Sequence, residues 1–132
     1  MSAEQRIKHL EMIQANIARM AQNSFVLKGW AVTLTAALLV LAAEPDKITG
    51  AASLYFLPAF VFWLLDAYYL CLERRFRGLY ERARDARAPL FSMELCDEEG
   101  KLWSAAVSRP MLLYAVLLVP AIALVLETVS KE

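Results

Sequence analysis

The sequence predicts an all-α membrane protein: an N-terminal amphipathic helix followed by three transmembrane helices, the second extending into the cytoplasm. Three observations predict it. The 132 residues are 59% hydrophobic with a mean hydropathy of +0.42, too apolar for an ordinary soluble domain of this length. The apolar residues gather into three long runs, and the basic residues gather after the second of them. Formal net charge is zero, so charge can act only through its distribution along the chain. One membrane domain, residues 1–132, is the expected organisation.

Over residues 4–20 the apolar side chains Ile7, Leu10, Ile13, Ile17 and Met20 recur at spacings of three and four, one stripe of a helix. The other side mixes Arg6, Lys8, His9 and Arg19 with Glu4 and Glu11. That mixture is less basic than a typical lipid-surface helix, so a partner helix and a headgroup layer are equal candidates for what the stripe covers. The opening Met1-Ser2-Ala3-Glu4-Gln5 lacks the apolar core and cleavage site of a secretory signal, so the first span is expected to persist.

The first span covers residues 25–43, interrupted only by Lys28. About 19 residues, at roughly 1.5 Å each, cross a hydrocarbon core. Glu44-Pro45-Asp46-Lys47 ends it, and a turn through Gly50 leads to the second span, residues 51–72, which carries Pro58 early and Asp66 late. Phe76, Leu79, Tyr80 and Ala83 keep the helical period beyond Leu72, so the helix should continue out of the bilayer until Ala88-Pro89. Residues 73–110 form a cytoplasmic segment whose later part is a polar connection with an acidic run at Asp97-Glu98-Glu99, best read as a solvated turn. Ser108-Arg109-Pro110 reads as a helix start. The third span is 111–129, with Pro120 inviting a bend.

Lysines and arginines in short loops set orientation. Arg74, Arg75, Arg77, Arg82, Arg84, Arg87, Lys101 and Arg109 follow span two, whereas the loop before it holds only Lys47. The N-terminus and residues 73–110 are therefore expected in the cytoplasm and the C-terminus outside. Trp30, Trp63, Tyr68, Tyr69 and Tyr114 fall near the expected interfaces, where amphipathic rings are favoured. Cys71 and Cys96, at or near the cytoplasmic stretch, are expected to be free thiols.

Catalysis finds no support, and the chain is expected not to be an enzyme. His9 is the single histidine, no cluster has metal-ligand spacing, and no phosphate loop or nucleophile elbow is present. No cofactor and no metal are expected. Asp66 is the most informative residue, because an ionisable group inside a span costs a few kcal/mol unless it finds a partner. Lys28, at similar depth on an antiparallel neighbour, is the expected one; a structural lock between two helices outweighs a pore charge. Gly29, Thr33 and Ala37, spaced by four, line one face of span one with small side chains and predict close helix packing. Three short spans with little polar interior favour homo-oligomerisation. The arginines after span two suffice as topology determinants and headgroup contacts. A sharper reading takes Arg74, Arg77 and Arg84 as phosphate contacts on one helical face, with Phe76 and Tyr80 available to stack on a base of a nucleotide or short oligonucleotide.

Two segments, Asn23-Ser24-Phe25-Val26-Leu27-Lys28-Gly29-Trp30 and Trp63-Leu64-Leu65-Asp66-Ala67-Tyr68-Tyr69-Leu70-Cys71-Leu72-Glu73-Arg74, resemble small multi-pass bacterial membrane proteins of phage-defence operons. These include membrane effectors encoded beside a nucleotidyltransferase, as in the Hailong system. The resemblance runs from about residue 7 to 95 and more weakly over 103–114. It implies a homo-oligomeric ion channel of the bacterial inner membrane, gated by a nucleotide-type signal, with a nucleotidyltransferase as partner and residues 74–87 facing the ligand. The alternative is a non-conducting membrane adaptor that anchors a cytoplasmic partner.

Overall fold

The computed structural model describes residues 2–42, 52–97 and 100–130. The Glu44-Pro45-Asp46-Lys47 turn with Gly50, and Glu98 and Glu99 of the acidic run, lie outside them. Every regular element among the described residues is helical: α1 (Ala3–Ala42), α2 (Ala52–Arg84), α3 (Leu102–Ala106), a 3-10 turn (Arg109–Met111) and α4 (Leu112–Ser130). Two stretches, Ala3–Leu41 and Phe56–Arg84, are long and apolar enough to cross a membrane.

The amphipathic helix expected at 4–20 and the span expected at 25–43 form one unbroken helix of 40 residues. The reason is local. Ala21-Gln22-Asn23-Ser24 contains neither Gly nor Pro, and Ser24, which is able to cap a helix, instead turns its hydroxyl to Asp66.

α1 and α2 form an antiparallel hairpin and share the most extensive packing in the molecule. Arg6 Nη2 donates to the Arg84 carbonyl at 2.7 Å, Ile13 sits in one core cluster with Leu79 and Ala83, and Lys28 meets Asp66 further along. The stripe of residues 4–20 thus covers the chain's own α2 extension: Leu10 and Ile17 flank buried Ile13, with Phe76, Tyr80, Met93 and Leu95 closing the cluster. His9, placed by sequence on the polar side, is buried; its Nε2 donates to the Ser92 carbonyl at 2.9 Å, tying α1 to the segment after α2.

α2 ends at Arg84, four residues before Ala88. The Arg87 amide bonds to the Arg82 carbonyl and the Ala86 amide to the Ala83 carbonyl, with Ala86 at φ 57°, which is a Schellman termination with alanine where glycine is usual. The following segment folds back along α2. Gly100 is buried there because a side chain has no room: a Cβ would lie 2.9 Å from the Cys71 carbonyl oxygen. Its own carbonyl accepts from Cys71 Sγ and from Arg75 Nε. The connection also contains α3, which its polar sequence did not suggest; buried Ala105 and Ala106 fix it against α2. Ser108 does not cap the next helix as expected, since its hydroxyl donates back to the Ala105 carbonyl. α4 then lies mainly against α2, with Met111, Tyr114 and Ala121 buried. Both cysteines are free, Cys71 buried and Cys96 exposed.

Candidate functional site

Two polar features stand out on this frame, and α2 carries both. The first lies where α1, α2 and α4 meet. Asp66 is fully buried, and Lys28 Nζ approaches its Oδ2 at 2.5 Å. That contact is electrostatic rather than an aligned hydrogen bond. Lys28 Nζ donates instead to Ser24 Oγ at 2.8 Å, and the Ser24 hydroxyl donates to Asp66 Oδ1. Ser24 and Lys28 are four apart, so one face of α1 supplies both. From α4, buried Tyr114 turns its hydroxyl toward the same carboxylate without a well-formed hydrogen bond.

Tyr114 is therefore not the interfacial ring its sequence position suggested, whereas Trp30 and Tyr68 are exposed as expected of such rings. Trp63 is half-buried and spends its indole N–H on the Ala106 carbonyl at 3.1 Å. Sequence reasoning missed Ser24 and Tyr114. The four-residue spacing from Lys28 was a usable signal for Ser24; nothing in the chain announces which face of α4 turns to Asp66.

Gly29, Thr33 and Ala37 do not mediate packing within the chain. All three are exposed, and a Cβ at Gly29 would meet nothing within 4 Å. The face of α1 that meets the rest of the molecule carries Ser24, Ala31 and Thr35.

The second feature is a groove of about 430 Å³ along the charged end of α2, lined by Arg74, Arg77, Gly78, Glu81, Arg82, Asp85 and Arg87. Positions 74, 77, 78, 81, 82 and 85 follow helical spacing, so they share a face, and Gly78 leaves its centre without a side chain. Four guanidiniums against two lining carboxylates make it cationic. Arg77 is also held by Glu73 at 2.5 Å and Arg74 reaches Ser104 Oγ at 3.3 Å, which orders them along the groove.

This groove differs from the ligand face expected from sequence. Arg84 does not line it; its Nε bonds Asp85 instead. Phe76 and Tyr80 do not stand beside the arginines, because both pack against the Ile13, Leu79 and Ala83 core beneath α1. Arg82 and Arg87 take the place of Arg84. Among the described residues no group of His, Cys, Asp and Glu is arranged to hold a metal ion.

No family model matches the chain, and no curated protein or solved structure matches it either.

Proposed function

We propose that the chain is a three-span protein of the bacterial inner membrane, with its N-terminus in the cytoplasm, that forms homo-oligomers and changes ion permeability in anti-phage defence when a phosphorylated ligand binds. The observation that carries this reading is the continuity of α2: one unbroken helix bears the arginine groove at its charged end and Asp66 in its apolar part. A ligand that shifts the groove acts on the Lys28 and Asp66 cluster through a rigid element, which is what coupling between a cytoplasmic site and the membrane requires.

The dimensions support the membrane placement. α1, with 40 residues, is about 60 Å long, twice a hydrocarbon core of roughly 30 Å, so its N-terminal half projects beyond the bilayer. α4, with 19 residues, is about 28 Å long and apolar from Leu112 to Leu126, with Glu127 in its last turn, and we take it as the third span. The exposed Gly29, Thr33 and Ala37 face remains available for close contact between copies. Arg82 lies eight residues beyond Arg74, about 12 Å further along α2, past a headgroup layer of roughly 5–7 Å, which favours a soluble ligand over a lipid phosphate for the outer groove. A nucleotide or short oligonucleotide made by a neighbouring nucleotidyltransferase is the source that the resemblance implies. The adaptor reading is weakened because Ile13, at the centre of the amphipathic stripe, is already buried against α2.

Purified protein in planar bilayers tests the proposal. Conductance that responds to a nucleotide or oligonucleotide, and a response reduced at least tenfold by Arg77→Ala with Arg82→Ala, is the expected result. Absence of conductance under every nucleotide condition would sink the channel reading. Alkaline phosphatase fused after Gly100 should be inactive and after Lys131 active; the reverse pattern would overturn the topology.

A further inference from the structure

Where α1, α2 and α4 meet, the anion is fixed and the cation is not. Asp66 is fully buried, and Ser24 and Tyr114 nearly so. Lys28 is the exception, with 22% of its side chain exposed against 0% for Asp66. Helical side chains lean toward the N-terminus of their helix, so the Lys28 stem runs back along α1 and brings its ammonium to Ser24, one turn earlier. The positive charge is thus the tip of a flexible, partly exposed stem.

What that tip touches is oxygen. Asp66 Oδ2 lies 2.5 Å from Nζ and Ser24 Oγ lies 2.8 Å from it. The Ser24 hydroxyl spends its proton on Asp66 Oδ1, so it offers the ammonium a lone pair of the same oxygen. A third oxygen is at hand. Buried Tyr114 turns its hydroxyl toward the carboxylate yet makes no aligned hydrogen bond among the described residues. A buried hydroxyl without a partner is costly, and a cation held between it and the carboxylate satisfies it. Carboxylate and hydroxyl oxygens are the ligands that hard metal cations take. One carboxylate balances one positive charge, so a monovalent ion leaves the buried site neutral and a divalent ion does not.

We propose that Ser24, Asp66 and Tyr114 form a binding site for a monovalent metal cation, sodium or potassium, which the Lys28 ammonium fills as a tethered competitor. The two cations exclude each other, because both together leave an uncompensated charge in the core. The exposed stem gives the ammonium a way out to polar surroundings when the metal enters. This inference needs neither conduction nor a ligand at the arginine groove.

Thermal unfolding of the full chain in detergent tests it, in sodium, potassium, magnesium and choline chlorides at matched ionic strength. The double variant Lys28→Met with Asp66→Asn is the reference for general salt effects. Lys28→Met alone removes the competitor and should be stabilised by sodium or potassium over choline, with magnesium no better than choline. In that background Ser24→Ala and Tyr114→Phe should each weaken the apparent cation affinity by about tenfold, the loss of one oxygen ligand. The wild-type chain should respond to the same ion at concentrations higher by about tenfold or more, because a tethered ammonium competes at high effective concentration. Any of four results would overturn the site: Lys28→Met that does not distinguish the monovalent metals from choline; Lys28→Met stabilised by acid alone, with a proton in the ammonium's place; a response left unchanged by Ser24→Ala and Tyr114→Phe; or a wild-type chain with no cation-specific shift up to molar salt. The wild-type measurement decides by itself if Lys28→Met is not recovered folded.

Discussion

Near the charged end of the α1 and α2 hairpin, the two helices meet through Ile13 and Leu79, both fully buried, with Leu10, Ile17 and Phe76 packed around them. Several turns along the same pair, the buried residues become Ala31 and Ala67, and the large side chains Trp30, Leu64 and Leu65 point outward. One helix pair is thus held by two different means. Where water surrounds a hairpin, large apolar side chains gain free energy by leaving it. Where lipid surrounds it, that drive vanishes, and close approach of small residues with a few polar contacts takes over. Among the described residues, the ion pair with a fully buried partner, Lys28 with Asp66, sits in the second region, while an aliphatic core secures the first.

The largest test of this contrast is at Asp66. Asp66→Asn strands the Lys28 ammonium among α1, α2 and α4 and should cost on the order of 4 kcal/mol in detergent-solubilised protein. Lys28→Met combined with Asp66→Asn should recover at least half of that loss in the same thermal unfolding assay. Simple additivity of the two single substitutions would mean that the pair contributes nothing as a pair.

Next in size is a reciprocal pair of packing changes. Leu79→Ala should cost roughly 3 kcal/mol by opening a cavity in the aliphatic end. Ala67→Leu should cost about 2 kcal/mol at the other end, where no space exists for a larger side chain. Denaturation midpoints of the two variants measure both. A Leu79→Ala change below about 1 kcal/mol would remove the distinction between the regions.

The smallest effect sharpens the boundary of the charged end. Ala86→Gly relieves a left-handed backbone at the close of α2 and should stabilise the protein by roughly 1 kcal/mol, seen as a small upward shift in Tm. No gain would show that the strain is offset elsewhere in the following segment.

Residue order alone is enough to show that the chain is helical, that long apolar stretches alternate with a basic one, and that Lys28 and Asp66 stand at matching depth. Each follows from a local rule: the length and period of the apolar runs, and the cost of a charge in an apolar stretch. The extension of α2 past Leu72 was also legible, since Phe76, Leu79, Tyr80 and Ala83 keep the helical period. The partners of those residues were not. A stripe shows that a face must be covered and is silent on what covers it, so Phe76 and Tyr80 look free to stack on a ligand until α1 is found against them. The same silence hid Tyr114, the outward turn of Gly29, Thr33 and Ala37, and the replacement of Arg84 by Arg82 and Arg87 in the arginine groove. Which way a helix turns about its own axis depends on every neighbour at once. Only the tertiary structure sums those contacts.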